Sequence, residues 1–239
     1  ELFKKNYKVE QIDVYGLLTS KLSPPESFFA FKEAKNLPKG SKLSEDANFT
    51  FEGFKLDREK DTFVLLPHIL KTPTKEITLA VSLLIEKDCP SFCNLLWIGD
   101  PEQPTRPLFS IYLKNGLSLH VATAMGSLNT DNGSVLIGRS NFLVSRMNFE
   151  TGNLVINVGG SEFNSQLHPV TSPTPKVFNI GLGGAPKNSF TGTLSNLSIW
   201  NRMLDAGESS RVVEIYEEER DTPKNQKELI DAQKREAFK

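Results

Sequence analysis

Lys75-Glu76-Ile77-Thr78-Leu79-Ala80-Val81-Ser82-Leu83-Leu84-Ile85 decides the fold. Ile77, Leu79, Val81, Leu83 and Ile85 alternate with smaller or more polar residues, a period of two that lines one face of a strand with apolar side chains. Downstream the same period recurs at Phe109, Ile111, Leu113; at Leu117, Leu119, Val121; and at Leu143, Ser145, Met147, Phe149. It returns at Leu154, Ile156, Val158 and at Phe178, Ile180, Leu182, so strands dominate from about residue 48 to residue 200. Asn115-Gly116, Asp131-Asn132-Gly133 and Thr151-Gly152-Asn153 accept positive φ and are expected to set tight antiparallel hairpins. No helical pattern of roughly 10 to 15 residues separates the strands, which disfavours a parallel α/β sheet. The expectation is an all-β protein, two antiparallel sheets packed face to face.

The flanks read differently. Before residue 50, Phe28, Phe29 and Phe31 suggest a strand, while Ser23-Pro24-Pro25 and Leu37-Pro38-Lys39-Gly40 mark loops. After Trp200, Asp205 is a helix cap followed by Glu208 in the first turn and by Val212, Val213 and Tyr216 at helical spacing. Asp221-Thr222-Pro223 breaks that helix, and Asn225 to Phe238 forms a second, charged helical segment. The division that follows is one domain over residues 1–220, including an N-terminal extension, and a charged tail or linker over 221–239.

Composition narrows the function. In 239 residues, 28 Lys and Arg nearly balance 29 Asp and Glu, for a net charge of -1. That balance argues against a nucleic-acid partner, whose phosphates are held by a basic surface. No segment reaches the roughly 18 to 20 consecutive apolar residues that span a bilayer, so no transmembrane segment is expected. A chain beginning at Glu1 leaves room for a removed signal or anchor. Cys89 and Cys93 are close enough in sequence for a turn to bring them together, and a bridge and a reduced pair both fit. Asn48, Asn132 and Asn196 each head an N-x-S/T triplet, a number expected by chance here.

Val177-Phe178-Asn179-Ile180-Gly181-Leu182-Gly183-Gly184, followed by Phe190-Thr191-Gly192-Thr193-Leu194-Ser195-Asn196-Leu197-Ser198-Ile199-Trp200-Asn201-Arg202-Met203-Leu204, resembles the closing strands of laminin-G-like and pentraxin-like domains. These belong to the concanavalin-A-like jelly-roll superfamily. The shared pattern is a strand ending in glycines, an aromatic, a glycine, an apolar strand, and an aromatic-Asn-Arg-x-Leu exit to a helix. Phe142 to Met147 and Leu154 to Gly160 resemble the family's paired strands, with Phe142 where the family usually carries tryptophan. The resemblance spans roughly residues 50 to 218. Independently of it, Leu194, Leu197 and Ile199 are expected to enter the core across a small irregularity, Trp200 to anchor the exit, and Arg202 to pair with Glu208.

The resemblance implies a recognition module rather than one chemistry. Glycoside hydrolases in this superfamily place two carboxylates on one strand, and Glu-x-Asp-x-Glu is absent here, so no enzyme is expected. Glu214, Glu217, Glu218 and Glu219 read as a solvated helix face, and His120 is expected to point outward from its strand. The resemblance also implies calcium at a sheet rim. Asn129 and Asp131 are the first ligand candidates, with Asp100 as a contributor, although Asp131-Asn132-Gly133 equally suits a plain turn. The pentraxin His-x-Cys-x-Ser/Thr-Trp motif is missing, so that subfamily's phosphocholine site does not carry over. Trp97, Tyr112 and Trp200 are the aromatics suited to stack on a sugar, although the apolar neighbours of Trp97 favour burial in the core. Lys187 and Asn188, in the loop Gly183 to Asn188, are candidates for contact with a glycan or protein partner. The function expected is a non-catalytic module of an extracellular or cell-surface protein, mediating protein–protein adhesion or scaffolding; the alternative is a calcium-assisted lectin, and a glycoside hydrolase ranks third.

Overall fold

A computed structural model describes residues 13–67, 75–99, 108–123, 125–169, 179–183 and 188–221. Helix α1 (Val14–Lys21) is followed by β1 (Ser27–Ala30), β2 (Lys42–Leu43), β3 (Asn48–Thr50), β4 (Gly53–Leu56) and β5 (Val64–Leu66). The long strands β6 (Glu76–Ile85) and β7 (Phe92–Gly99) come next, then β8 (Phe109–Lys114), β9 (Ser118–Thr123) and β10 (Gly126–Asn129). The chain continues through β11 (Ser140–Asn148), β12 (Asn153–Val158), β13 (Ser161–Gln166), β14 (Asn179–Leu182), β15 (Gly192–Trp200) and helix α2 (Ala206–Asp221). One sheet runs β13-β12-β11-β6-β15-β4-β3 with β1 also on β15, and the other runs β10-β9-β8-β7-β14-β5-β2. Every strand pair within them is antiparallel, which gives the expected two-sheet sandwich.

β6 shows why the fold forms. Ile77, Leu79, Val81, Leu83 and Ile85 all enter the core between the sheets, while Thr78, Ala80 and Ser82 point the other way. Those outward residues are small, so α2 can rest against the back of this sheet. A second apolar cluster forms there from Val14 and Leu18 of α1, Phe142 and Val144 of β11, Trp200, Leu204, and Val212, Ile215 and Tyr216 of α2. Polar pegs fix the docking. The Tyr216 hydroxyl lies 2.7 Å from Ser198 Oγ, Leu204 N–H donates to Thr78 Oγ1 at 2.9 Å, and Arg146 donates to the Leu204 carbonyl. Burial pushes the Tyr216 phenol well above its ordinary pKa.

The helix begins as its sequence dictates, with Asp205 Oδ1 accepting the Glu208 N–H at 2.8 Å. Arg202 forms the expected fork with Glu208, at 2.7 and 2.6 Å, and that pairing holds the Glu208 carboxyl below its ordinary pKa. Trp200 is buried and donates through Nε1 to the Ser23 carbonyl at 2.9 Å, so it anchors the exit from β15 and offers no surface to a sugar. β15 carries its irregularity between Leu194 and Asn196, and Leu194, Leu197 and Ile199 all reach the core.

Two sequence expectations need correction. Asn115-Gly116 and Thr151-Gly152 close hairpins, but Asp131-Asn132-Gly133 joins no neighbouring strands: it leads the chain from β10 in one sheet toward β11 in the other. Leu117, expected within a strand, sits in the β8–β9 turn at φ 57°, and β9 starts one residue later. Helix α1 had no counterpart in the sequence reading. The second charged helix expected over 225–238 lies outside the described residues.

Candidate functional site

The two outer faces differ. The sheet containing β6 is covered by α1 and α2, whereas among the described residues no helix covers the outer face of the sheet built on β7, β8, β9 and β10. Pairing registers define what this open face carries. Asn94 lies opposite Tyr112, Tyr112 opposite His120, and His120 opposite Asn129, so one row crosses four strands on the outward side. Beside it, Phe92 lies opposite Lys114.

These side chains touch. Phe92 meets Tyr112 edge-on at 6.1 Å between ring centres and His120 at 5.4 Å. Lys114 Nζ lies 5.6 Å from the centre of the Phe92 ring and donates to Asn129 Oδ1 at 3.2 Å. His120 Nδ1 lies 2.9 Å from the same oxygen. Because an ammonium can only donate, Asn129 presents its oxygen here; Nδ1 must then carry the proton, and in the neutral ring Nε2 is left as the acceptor. Phe92 is 46% exposed, so the cluster presents an aromatic surface bordered by an ammonium, an amide and an imidazole. At its inner end the Asn94 side-chain oxygen is buried and makes no hydrogen bond among the described residues.

A disulfide holds Phe92 in place. Cys89 and Cys93 are bridged, with Cα atoms 5.9 Å apart, and Phe92 projects from the short loop they close. Sequence reasoning missed Phe92 and Lys114 and took His120 only as outward-facing. The available signals were an aromatic residue between two half-cystines and the outward phase of Tyr112, Lys114 and His120 in their strands.

Trp97 is half-buried on the same open face, opposite Ser110 and Gly181, rather than in the core. The cause is a register shift between Asn94 and Leu96, which sends both Leu95 and Leu96 inward and turns Trp97 out. The indole lies on Gly181, where a Cβ would come within 1.9 Å of Nε1. The cavity beside it, about 50 Å³ lined by Phe63, Leu65 and Trp97, is too small for a sugar ring.

Of the other expected residues, Tyr112 is central to the cluster. Asn188 is exposed beside it, its carbonyl accepting the Asn94 N–H at 2.5 Å. Lys187 and Asp100 lie outside the described residues. Asn129 and Asp131 are both exposed and two residues apart, but Asn129 gives its oxygen to Lys114 and His120, and an ammonium beside that oxygen opposes a cation there. No group of three or more His, Cys, Asp or Glu among the described residues is arranged to hold a metal. Of the N-x-S/T asparagines, Asn48 and Asn132 are exposed, and Asn196 is buried against Glu219.

A second concavity, about 350 Å³, runs between α2 and the β11–β12 hairpin on the covered sheet. It is lined in part by Leu136, Phe142, Val213 and Arg220, and Arg220 lies 5.4 Å from the centre of the Phe142 ring.

No protein-family model matches the sequence. No curated protein matches it either. Among solved structures the chain is similar to the Trypanosoma rangeli sialidase, at 16% identity and a TM-score of 0.60, over 80% of this chain and 32% of the sialidase. It is also similar to the CBM40 of a Ruminococcus gnavus IT-sialidase bound to α2,3-sialyllactose, at 14% identity and a TM-score of 0.47, over 59% of this chain and 83% of that one. The third likeness is a heptameric SAP-like pentraxin from Limulus polyphemus, at 14% identity and a TM-score of 0.48, over 61% and 73% of the two chains. The last two are too distant to transfer any residue or ligand. The first is a likeness of fold alone, a two-sheet antiparallel sandwich, and this chain spans about a third of the sialidase's length.

Proposed function

We propose that this chain is a non-catalytic carbohydrate-recognition module of a secreted or cell-surface protein, laminin-G-like or pentraxin-like in its fine classification, which binds sugar on the outer face of the β7–β10 sheet. The observation that carries the proposal is Phe92, 46% exposed and braced by Tyr112, His120 and Lys114. A sugar needs one apolar surface for its ring carbons and a few donors and acceptors at ring distance for its hydroxyls. This cluster has that scale and that chemistry. A stable protein interface, by contrast, buries about 800 Å² on each side around several anchors. The Cys89–Cys93 bridge supports an oxidising compartment.

A glycan array with the intact chain and with Phe92→Ala tests the reading. Wild-type binding to a restricted set of glycans, lost in the folded variant, supports it. No binding to any glycan, or binding unchanged by the substitution, refutes it. Calcium is tested separately by thermal melting, because a ligand that binds only the folded state raises its stability. An upward shift at millimolar calcium would support a metal role, and no shift would remove it for Asn129 and Asp131.

Protein adhesion has a specific observation of its own. Leu136, which lines the α2 concavity, and its neighbour Ile137 are both exposed aliphatic residues. Leu136→Glu with Ile137→Lys would abolish a partner recovered by cross-linking to that face, and would leave sugar binding unchanged.

A further inference from the structure

Lys114 sets the class of sugar. The ion pairs of the described residues each join a lysine or arginine to a glutamate, but Lys114 has no carboxylate partner among them. Its ammonium is instead held between the Phe92 ring and Asn129 Oδ1, and that oxygen is shared with His120. Two contacts therefore fix a flexible side chain, and among the described residues no carboxylate compensates its charge. One donor goes to Asn129, and an ammonium has three. Asp88, which reaches the β8–β9 turn, is turned toward backbone, accepting from the Cys89 and Gly116 N–H groups.

From this we infer that the open face selects acidic sugars: the ammonium of Lys114 receives the carboxylate of a uronic-type residue while Phe92 takes the carbon face of the same ring. The inference rests on the carbohydrate reading above and adds its charge. An ordered, unpaired cation beside an exposed aromatic favours an anion joined to an apolar surface, because little ordering remains to be done on binding. A neutral hexose offers Lys114 only a hydroxyl. A carboxylate adds the attraction of a full opposite charge to that hydrogen bond.

Matched pairs separate the two claims. Saturation-transfer NMR on the intact chain compares methyl glucuronide with methyl glucoside, which differ only in a carboxylate for a hydroxymethyl group; glucose 6-sulfate distinguishes a carboxylate from any anion. The expected result is binding of the glucuronide roughly tenfold tighter than the glucoside. Lys114→Met should erase that preference without shifting the melting temperature, and Lys114→Arg should keep it. Equal binding of glucuronide and glucoside, or a preference that survives Lys114→Met, overturns the acidic-sugar inference and leaves carbohydrate recognition standing. No binding of any sugar here and on the glycan array overturns both. Equal preference for the sulfate shows that charge alone is read and overturns the carboxylate assignment. Retention of an acidic peptide in place of every sugar would make the site a protein-docking surface and would also refute the inference.

Discussion

The outer face of β6 carries Thr78, Ala80 and Ser82, and the helices rest on it; the outer faces of β7 to β9 carry Phe92, Tyr112, Lys114 and His120, and among the described residues no helix does. Both sheets give apolar inner faces to the same core, so the hydrophobic effect between them does not distinguish the two. Side-chain size and polarity on the outward phase do. Small residues let α2 approach and bury Tyr216 and Trp200, which converts that face into a second core. Bulky aromatics interspersed with lysine, histidine and asparagine leave the other face able to hold a ligand. One face supplies stability, and the other is the face proposed for recognition.

The largest effect that would test this division is on the covered side. Tyr216→Ala removes a fully buried ring and is expected to cost about 3 to 5 kcal/mol in chemical denaturation. A cost under about 1 kcal/mol would mean that α2 is peripheral. Tyr216→Phe leaves Ser198 without its partner and should cost about 1 to 2 kcal/mol.

On the open side, Cys89→Ser with Cys93→Ser opens a short loop, and by chain entropy alone should cost about 2 kcal/mol. The same pair should weaken sugar binding, because Phe92 loses its brace; unchanged affinity would separate the bridge from the site.

A smaller effect is pH-dependent and belongs to the covered face. The Arg202 hydrogen bond holds the Glu208 pKa below its ordinary value, so the folded state binds that proton less readily than the unfolded chain. The stabilisation is therefore complete above about pH 4.5 and is lost as pH falls through the lowered value. Acid titration of melting temperature should be shallower in Glu208→Gln, and an identical slope would contradict the assignment. The smallest expected effect on stability, under about 1 kcal/mol, is that of Phe92→Ala at an exposed position, and there the change should appear in glycan affinity, reduced roughly tenfold or more.

Much of the sandwich was legible because burial on one face of a strand writes a period of two into the chain, and β6, β8 and β11 follow it. The helix after Trp200 was legible from its Asp205 cap, and the Arg202–Glu208 pair from its spacing. Trp97 was misplaced because a bulge at Leu95 reverses the phase of β7, and a sequence carries no mark for a single extra residue. The Phe92 cluster was legible only in pieces. Tyr112, Asn129 and Asn188 stood out separately, one as an aromatic, one as an oxygen donor and one in a loop. What joins Tyr112 to Asn129 through His120 is cross-strand register, a long-range property that local pattern does not encode. Helix α1 was missed because its tertiary docking through Val14 and Leu18, rather than a strong apolar stripe, holds it.

The most direct test is amide NMR mapping of the intact chain during titration with a glycan that it binds. Shifts concentrated at Phe92, Asn94, Tyr112, Lys114, His120 and Asn129, with α2 and Phe142 undisturbed, are the expected result. Shifts concentrated along α2 and the β11–β12 hairpin, with the Phe92 cluster unmoved, would contradict the account and place recognition on the face assigned here to stability.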